Sequence, residues 1–204
     1  MPGRLWRVSL ATDLRREPGI GDRSPRLFFA LLPDVGAREA LGMLAQDVAR
    51  TSGGRAVRAE NLHLTLAFLG SVPQARVATV AAIGASAASR AKPFLLTLDR
   101  VGLFRNAGIA WAAPQAGSPD LQQIFETLRE ALRTAGLPVE RRALHPHVTL
   151  ARRCTRGLPA ATMAPIAWRA DAMALIASET LPDGPRYREL AAWRFPEAAD
   201  VSPR

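Results

Sequence analysis

Apolar and polar positions recur along the chain with two periods, and the switches between them mark out the elements. Arg26 to Leu32 (RLFFALL) is a short apolar run with two aromatics, the composition of a central strand. Pro33-Asp34 breaks it, and Asp34 stands where it can cap the following helix. In that helix Leu41, Leu44, Ala45 and Val48 recur at helical spacing between Val35 and Arg50, and Gly53-Gly54 closes it. A strand is predicted over 62–69, ended by Gly70, and Pro73 opens an Ala-rich helix running through Ser89. Phe94 to Leu98 and Ile109 to Ala113 read as strands, with Gly102 and Asn106-Ala107-Gly108 as turn material. The clearest helix covers 118–135. Ser118 caps it, Pro119 starts it, Gly136 stops it, and Leu121, Ile124, Phe125, Leu128 and Leu132 form its core-facing stripe. A strand over 146–152 follows, then two more, Ala170 to Ala177 and Tyr187 to Phe195, around the turn Pro182-Asp183-Gly184-Pro185.

The resulting order is β-α-β-α-β-β-α-β-β-β. Paired strands with three helices predict an α+β fold with largely antiparallel sheets. Two of the strands carry one pattern: His63-Leu64-Thr65-Leu66-Ala67 and His147-Val148-Thr149-Leu150-Ala151. Side chains alternate across an extended strand, so His63, Thr65 and Ala67 share one face, opposite Leu64, Leu66 and Phe68. His147, Thr149 and Ala151 likewise oppose Val148 and Leu150. The copies lie 84 residues apart, each preceded by a helix. Half-domains facing each other would bring both His-Thr faces to one cleft. With 3 His and 11 Thr in 204 residues, chance gives two such coincidences roughly one time in a hundred.

Composition narrows the classes. The length suits one compact domain or two small lobes, and 48% hydrophobic residues suffice for a core. No apolar run approaches the roughly 20 residues of a membrane span, so a soluble protein is expected. The net charge is +9, and of 27 basic residues only Lys92 is lysine. Arg forks match phosphate geometry, although a genomic preference for Arg and Ala codons produces the same bias. The single Cys154 rules out an internal disulfide, reads as an incidental thiol and fits the cytoplasm. Residues 1–25, interrupted by Pro and Gly, read as an N-terminal extension to a domain over 26–196, with 197–204 as a tail.

Two imidazoles facing one substrate can serve as base and acid in a single displacement. Phosphodiester cleavage needs that combination, one His activating the attacking oxygen while the other protonates the leaving oxygen. Thr65 and Thr149 can donate to the non-bridging oxygens, and Arg152, five residues after His147, can add charge compensation. Two His without carboxylates at ligand spacing make a poor zinc site, and the third, His145, is separated from His147 by Pro146. Neither a nucleophile elbow nor a phosphate-cradling Gly-rich loop is present.

The motifs RLFFALLPD, LHLTLAFLG, LDRVGLF, GIAWAAP and PHVTLAR, in that order, resemble the two-histidine phosphoesterases. Within them the match is to the LigT-like RNA 2′,3′-cyclic phosphodiesterases, also called 2′-5′ RNA ligases, and it covers about residues 26–195. The resemblance implies a two-lobed, pseudo-symmetric fold with helices outside and both His-x-Thr motifs lining a central cleft. It implies cofactor-free and metal-independent opening of a 2′,3′-cyclic phosphate at an RNA end, or on a small cyclic nucleotide, to a 2′-phosphomonoester, by a monomer. By position it makes His63 the proton donor, His147 the acceptor, Thr65 and Thr149 the phosphate-binding hydroxyls and Arg152 a phosphate contact. Phe28 or Phe29 becomes a candidate for base stacking, with Phe28 preferred, and His145 is structural. The alternatives are 2′-5′ ligation or hydrolysis of another 2′-linked nucleotide by the same residues, or a basic RNA-binding module without catalysis.

Overall fold

Every strand pairing in the structure is antiparallel, and the two motif strands are neighbours at the middle of the sheet. The computed structural model describes residues 24–140, 143–181 and 184–197. Its elements in chain order are β1 (Arg26–Leu31), α1 (Val35–Ser52), β2 (Arg55–Ala56), β3 (Leu64–Ser71), α2 (Val77–Ala88), β4 (Phe94–Phe104) and β5 (Ile109–Ala113). There follow α3 (Pro119–Thr134), β6 (Val148–Arg152), β7 (Ala161–Ala170), β8 (Ala172–Leu181) and β9 (Gly184–Arg194). The strands run in the order β7-β4-β5-β6-β3-β1-β8-β9, with β2 paired to β6. β3 and β6 share the single ladder pair Leu64↔Val148. The sheet therefore divides there into two halves, β3-β1-β8-β9 and β6-β5-β4-β7, each beginning from a motif strand. This is the expected α+β, two-lobed, pseudo-symmetric arrangement.

One face of the sheet holds the main core. Leu27, Phe29 and Leu31 of β1 pack there with Leu41, Ala45 and Val48 of α1, the stripe Leu121, Ile124, Leu128 and Leu132 of α3, and Trp168 of β7. Two caps seat the helices as the sequence predicts. Asp34 Oδ1 accepts from Ala37 N at 2.8 Å while its Oδ2 accepts from Arg169 N at 3.2 Å, tying α1 to β7. Ser118 Oγ accepts from Leu121 N at 3.3 Å. The opposite face carries a small cluster of Phe28, Ala30, Ala174 and Ile176 flanked by Leu32 and Tyr187.

Several expectations are corrected. β7 does not show in the pattern because it is mostly exposed, carries Pro165, and pairs only with β4 at the sheet edge, where a missing N–H does no harm. Gly102 lies inside β4 rather than in a turn. The Trp111 ring packs over it so closely that a Cβ would stand 2.4 Å from Trp111 Cζ2. Pro73 leads into a short 3-10 turn over Gln74–Arg76 before α2 begins at Val77. β3 runs through Gly70 to Ser71. Of the expected extension and tail, 1–23 and 198–204 lie outside the described residues, as do Pro182 and Asp183 of the last turn.

The strict alternation of the motifs also fails, at the same place in both copies. On β3 the pairing steps from Ala30↔Thr65 to Phe29↔Ala67, so Leu66 is an extra residue. On β6 it steps from Trp111↔Thr149 to Ala110↔Ala151, which leaves Leu150 extra. Each is a β-bulge, and each turns the motif Ala inward. Ala151 is fully buried and Ala67 packs against the main core, whereas Phe68, expected there, is 46% exposed. Leu69 takes the core position instead.

Gly84 tests how tightly α2 lies on the first half. A Cβ there would meet the Trp193 ring at 2.5 Å and Phe29 Cε1 at 2.7 Å. Gly→Ala in an open helix stabilises by about 1 kcal/mol, but overpacking costs roughly 1–3 kcal/mol. Gly84→Ala is therefore expected to lower the thermal midpoint by a few degrees, and an increase would show that the helix can shift away.

Candidate active site

Each motif His stands immediately before its strand, His63 ahead of β3 and His147 ahead of β6, with the motif Thr at the second strand position. The pair Leu64↔Val148 joins the two strands antiparallel, which sets His63 and Thr149 to one side of it and Thr65 and His147 to the other. Leu64, Leu66, Val148 and Leu150 are all buried in the main core. His63, Thr65, His147 and Thr149 are partly buried and belong to the opposite face. The core thus anchors the apolar half of each motif and leaves its polar half on the opposite face of the sheet.

The two imidazoles are oriented alike. His63 Nδ1 lies 2.7 Å from Asn61 O, and His147 Nδ1 lies 2.8 Å from His145 O. A carbonyl oxygen only accepts, so Nδ1 carries the proton in both rings and Nε2 is the nitrogen free for chemistry. His145 enters through this carbonyl.

Their surroundings differ. His63 lies 4.9 Å from the Phe28 ring and 5.3 Å, edge-on, from Tyr187, while Phe28 and Tyr187 are themselves 5.2 Å apart. Burial in this aromatic corner pushes the His63 pKa below its ordinary 6.5; the hydrogen bond to Asn61 opposes the shift, and the charges of Arg152 and His147 add to it. His147 meets a single aromatic, Phe104, edge-on at 5.3 Å, with Trp111 behind Phe104 at 5.5 Å.

Arg152 reaches this site because of the bulge. In a regular strand it would point away from His147 and Thr149, into the core. The extra residue at Leu150 puts Leu150 and Ala151 both inward and returns Arg152 to the face that carries His147 and Thr149. There it hydrogen-bonds Tyr187, whose phenol pKa is raised by burial and held back by the Arg152 charge and hydrogen bond. Arg153 follows with a left-handed φ of 57°, so the chain turns away at once, and Cys154 N donates to Gly108 O at 3.0 Å.

The structure therefore gathers His63, His147, Thr65, Thr149 and Arg152 on one side of the sheet. Phe28 joins them, but it is 3% exposed, its ring covered by His63 and Tyr187. Tyr187 and Phe104 were not singled out from the sequence. Tyr187 is the chain's one tyrosine, a weak hint by itself, and it comes from the far hairpin. Among the described residues no group of three or more His, Cys, Asp and Glu side chains is arranged to hold a metal ion. No helix of the described residues is long and apolar enough to cross a membrane.

Comparison with known proteins agrees with this architecture. Residues 31–111 match the model of the LigT-like phosphoesterases. The chain is 33% identical over 180 residues to the RNA 2′,3′-cyclic phosphodiesterase of Thermus thermophilus, a match covering 81% of this chain and 87% of that one. The Escherichia coli RNA 2′,3′-cyclic phosphodiesterase is 33% identical over 127 residues, 62% of this chain and 71% of its own. Among solved structures, Escherichia coli LigT in apo form superimposes with a TM-score of 0.74 at 29% identity, covering 85% of this chain and 98% of that one. Its complex with 3′-AMP gives 0.74 at 29% identity over 84% and 98%. The chain belongs to the LigT-like phosphoesterase family.

The low His63 pKa has a sign that can be measured. The unfolded chain binds this proton near 6.5 and the folded one more weakly, so the residue is neutral in both states and without effect well above 6.5 and subtracts stability as pH falls below it. In an NMR titration His63 is expected to titrate below 6.5. Tyr187→Ala, which opens the aromatic corner to water, is expected to move it upward. An unchanged His63 titration in that variant would mean that burial by Tyr187 is not the cause.

Proposed function

We propose that this protein hydrolyses RNA 2′,3′-cyclic phosphodiester ends to 2′-phosphomonoesters by paired-histidine acid–base catalysis. The observation that carries the reading is the pair of imidazoles close together on one face of the sheet, both with Nδ1 held by the carbonyl two residues upstream and Nε2 free. Homologues named RNA 2′,3′-cyclic phosphodiesterase and a LigT neighbour crystallised with 3′-AMP support the substrate class.

In this reading His147 is the acceptor: its Nε2 takes a proton from water as the oxygen attacks phosphorus. The P–O3′ bond breaks, and His63, the donor, passes its Nε2 proton to O3′. The product is a 2′-phosphate beside a free 3′-hydroxyl, with protons and charge balanced and no further reactant. Thr65 and Thr149 donate to the non-bridging oxygens, and Arg152 offsets the charge spread over them. Phe28 backs the wall formed by His63 and Tyr187. The roles of these residues, the action of a monomer in the cytoplasm, and a catalytic domain over 26–196 flanked by an extension and a tail all belong to this proposal.

A protonated donor and a depressed pKa pull in opposite directions, and the substrate resolves them. The negative phosphate beside His63 stabilises its charged form, so the donor holds its proton better in the complex than in the free protein. Turnover of a short RNA ending in a 2′,3′-cyclic phosphate, with EDTA present, should yield a 2′-phosphate end. His63→Ala and His147→Ala should each lower kcat roughly 10²–10⁴-fold. The pH profile should be bell-shaped, with the alkaline limb of kcat/KM at lower pH than that of kcat. Product formation unaffected by either substitution would sink the assignment, and a one-limbed profile would sink the pairing.

A further inference from the structure

Two phenylalanines are exposed among the described residues, Phe68 at 46% and Phe104 at 40%. Phe104 stands against His147. Phe68 has no part in the chemistry above, and a single exposed apolar residue would need no explanation. Its position gives it one.

Phe68 pairs across the strands with Phe28 of β1, so the two side chains share a face of the sheet. Phe28 touches His63. In the other half the corresponding pair is Ile109↔Arg152, reached by the same bulge at the motif Leu. Phe68 is thus the pseudo-symmetric counterpart of Arg152, aimed to the face that carries the imidazoles by the same register slip. By strand rise it lies within about 10 Å of Thr65, further along the face. Arg26 extends over its ring, with the guanidinium carbon 5.4 Å from the centroid. An aromatic face with an arginine beside it is how proteins hold an unpaired base irrespective of sequence.

We propose that Phe68 and Arg26 form a stacking platform for the base of the nucleotide preceding the cyclic-phosphate end, so that the preferred substrate is an RNA chain rather than a free cyclic mononucleotide. This rests on the cyclic phosphodiesterase reading and specifies the substrate of that same site. The terminal nucleotide occupies the cleft between the motifs, and its 5′ neighbour lies along β3 with its base on Phe68.

The test compares kcat/KM for three substrates: a mononucleoside 2′,3′-cyclic phosphate, a trinucleotide with the same end, and that trinucleotide with an abasic residue in the penultimate position. The wild type is expected to favour the intact trinucleotide over the abasic one by roughly 5–150-fold, the worth of one base stacked on an aromatic ring. Phe68→Ala should erase that difference, Phe68→Trp should keep it, and the mononucleotide should be turned over equally by all three proteins. If Phe68→Ala keeps the preference for the intact trinucleotide, or slows the mononucleotide as much as the trinucleotide, the platform is wrong. If the wild type turns over none of the substrates, the cyclic phosphodiesterase reading fails and takes the platform with it. Turnover of the mononucleotide with no dependence on the penultimate base overturns the platform alone.

Discussion

The register slip at Leu150 decides on which side of the sheet Arg152 stands. A β-strand that kept its period would bury a guanidinium among Val148, Leu150 and the helices, where an unpaired charge costs several kcal/mol. The extra residue lets Leu150 and Ala151 fill the core together and sends Arg152 out beside Tyr187. The same slip at Leu66 buries Ala67 and exposes Phe68. One backbone device, used twice, gives one half a cation and the other an aromatic at equivalent positions. The halves are thus alike in fold and unlike in what they offer a substrate.

The same division appears in the two imidazoles. Each is oriented by the carbonyl two residues upstream, so the free nitrogen follows from local backbone geometry. What surrounds each ring is not local. His63 is enclosed by Phe28 and by Tyr187 from the long β8–β9 hairpin, whereas His147 has Phe104 on one side. The two rings are thus oriented alike and enclosed differently, and burial lowers the His63 pKa.

Holding this site in place falls to the opposite face. β3 and β6 share one ladder pair, too little to fix the halves by hydrogen bonding. Their relative placement depends on the continuous core beneath, where Leu64, Leu66, Val148 and Leu150 meet the three helices. Close approaches such as Gly84 on Trp193 and Gly102 under Trp111 leave little freedom for that core to slide.

Most of the elements were legible from the chain alone because caps, stops and periods are local. Asp34, Ser118 and Pro119 marked helix starts, and Ile109–Ala113 was found at its true bounds. β7 was not, because an exposed edge strand with a proline has no alternation to read. The repeated His-x-Thr pattern identified the imidazoles and hydroxyls, since a strand puts i and i+2 on one face whatever it packs against. Beyond the motif Leu that rule stops holding. Whether a strand bulges depends on what its partner buries, Phe29 on one side and Ala110 on the other, and no local period records that. By itself the sequence determined the order of every helix and of every strand except β2 and β7, the antiparallel class and the paired polar positions. The face of Arg152 and Phe68 and the enclosure of His63 by Tyr187 were decided by packing between segments distant in the chain, where burial outweighs the alternation of a single strand.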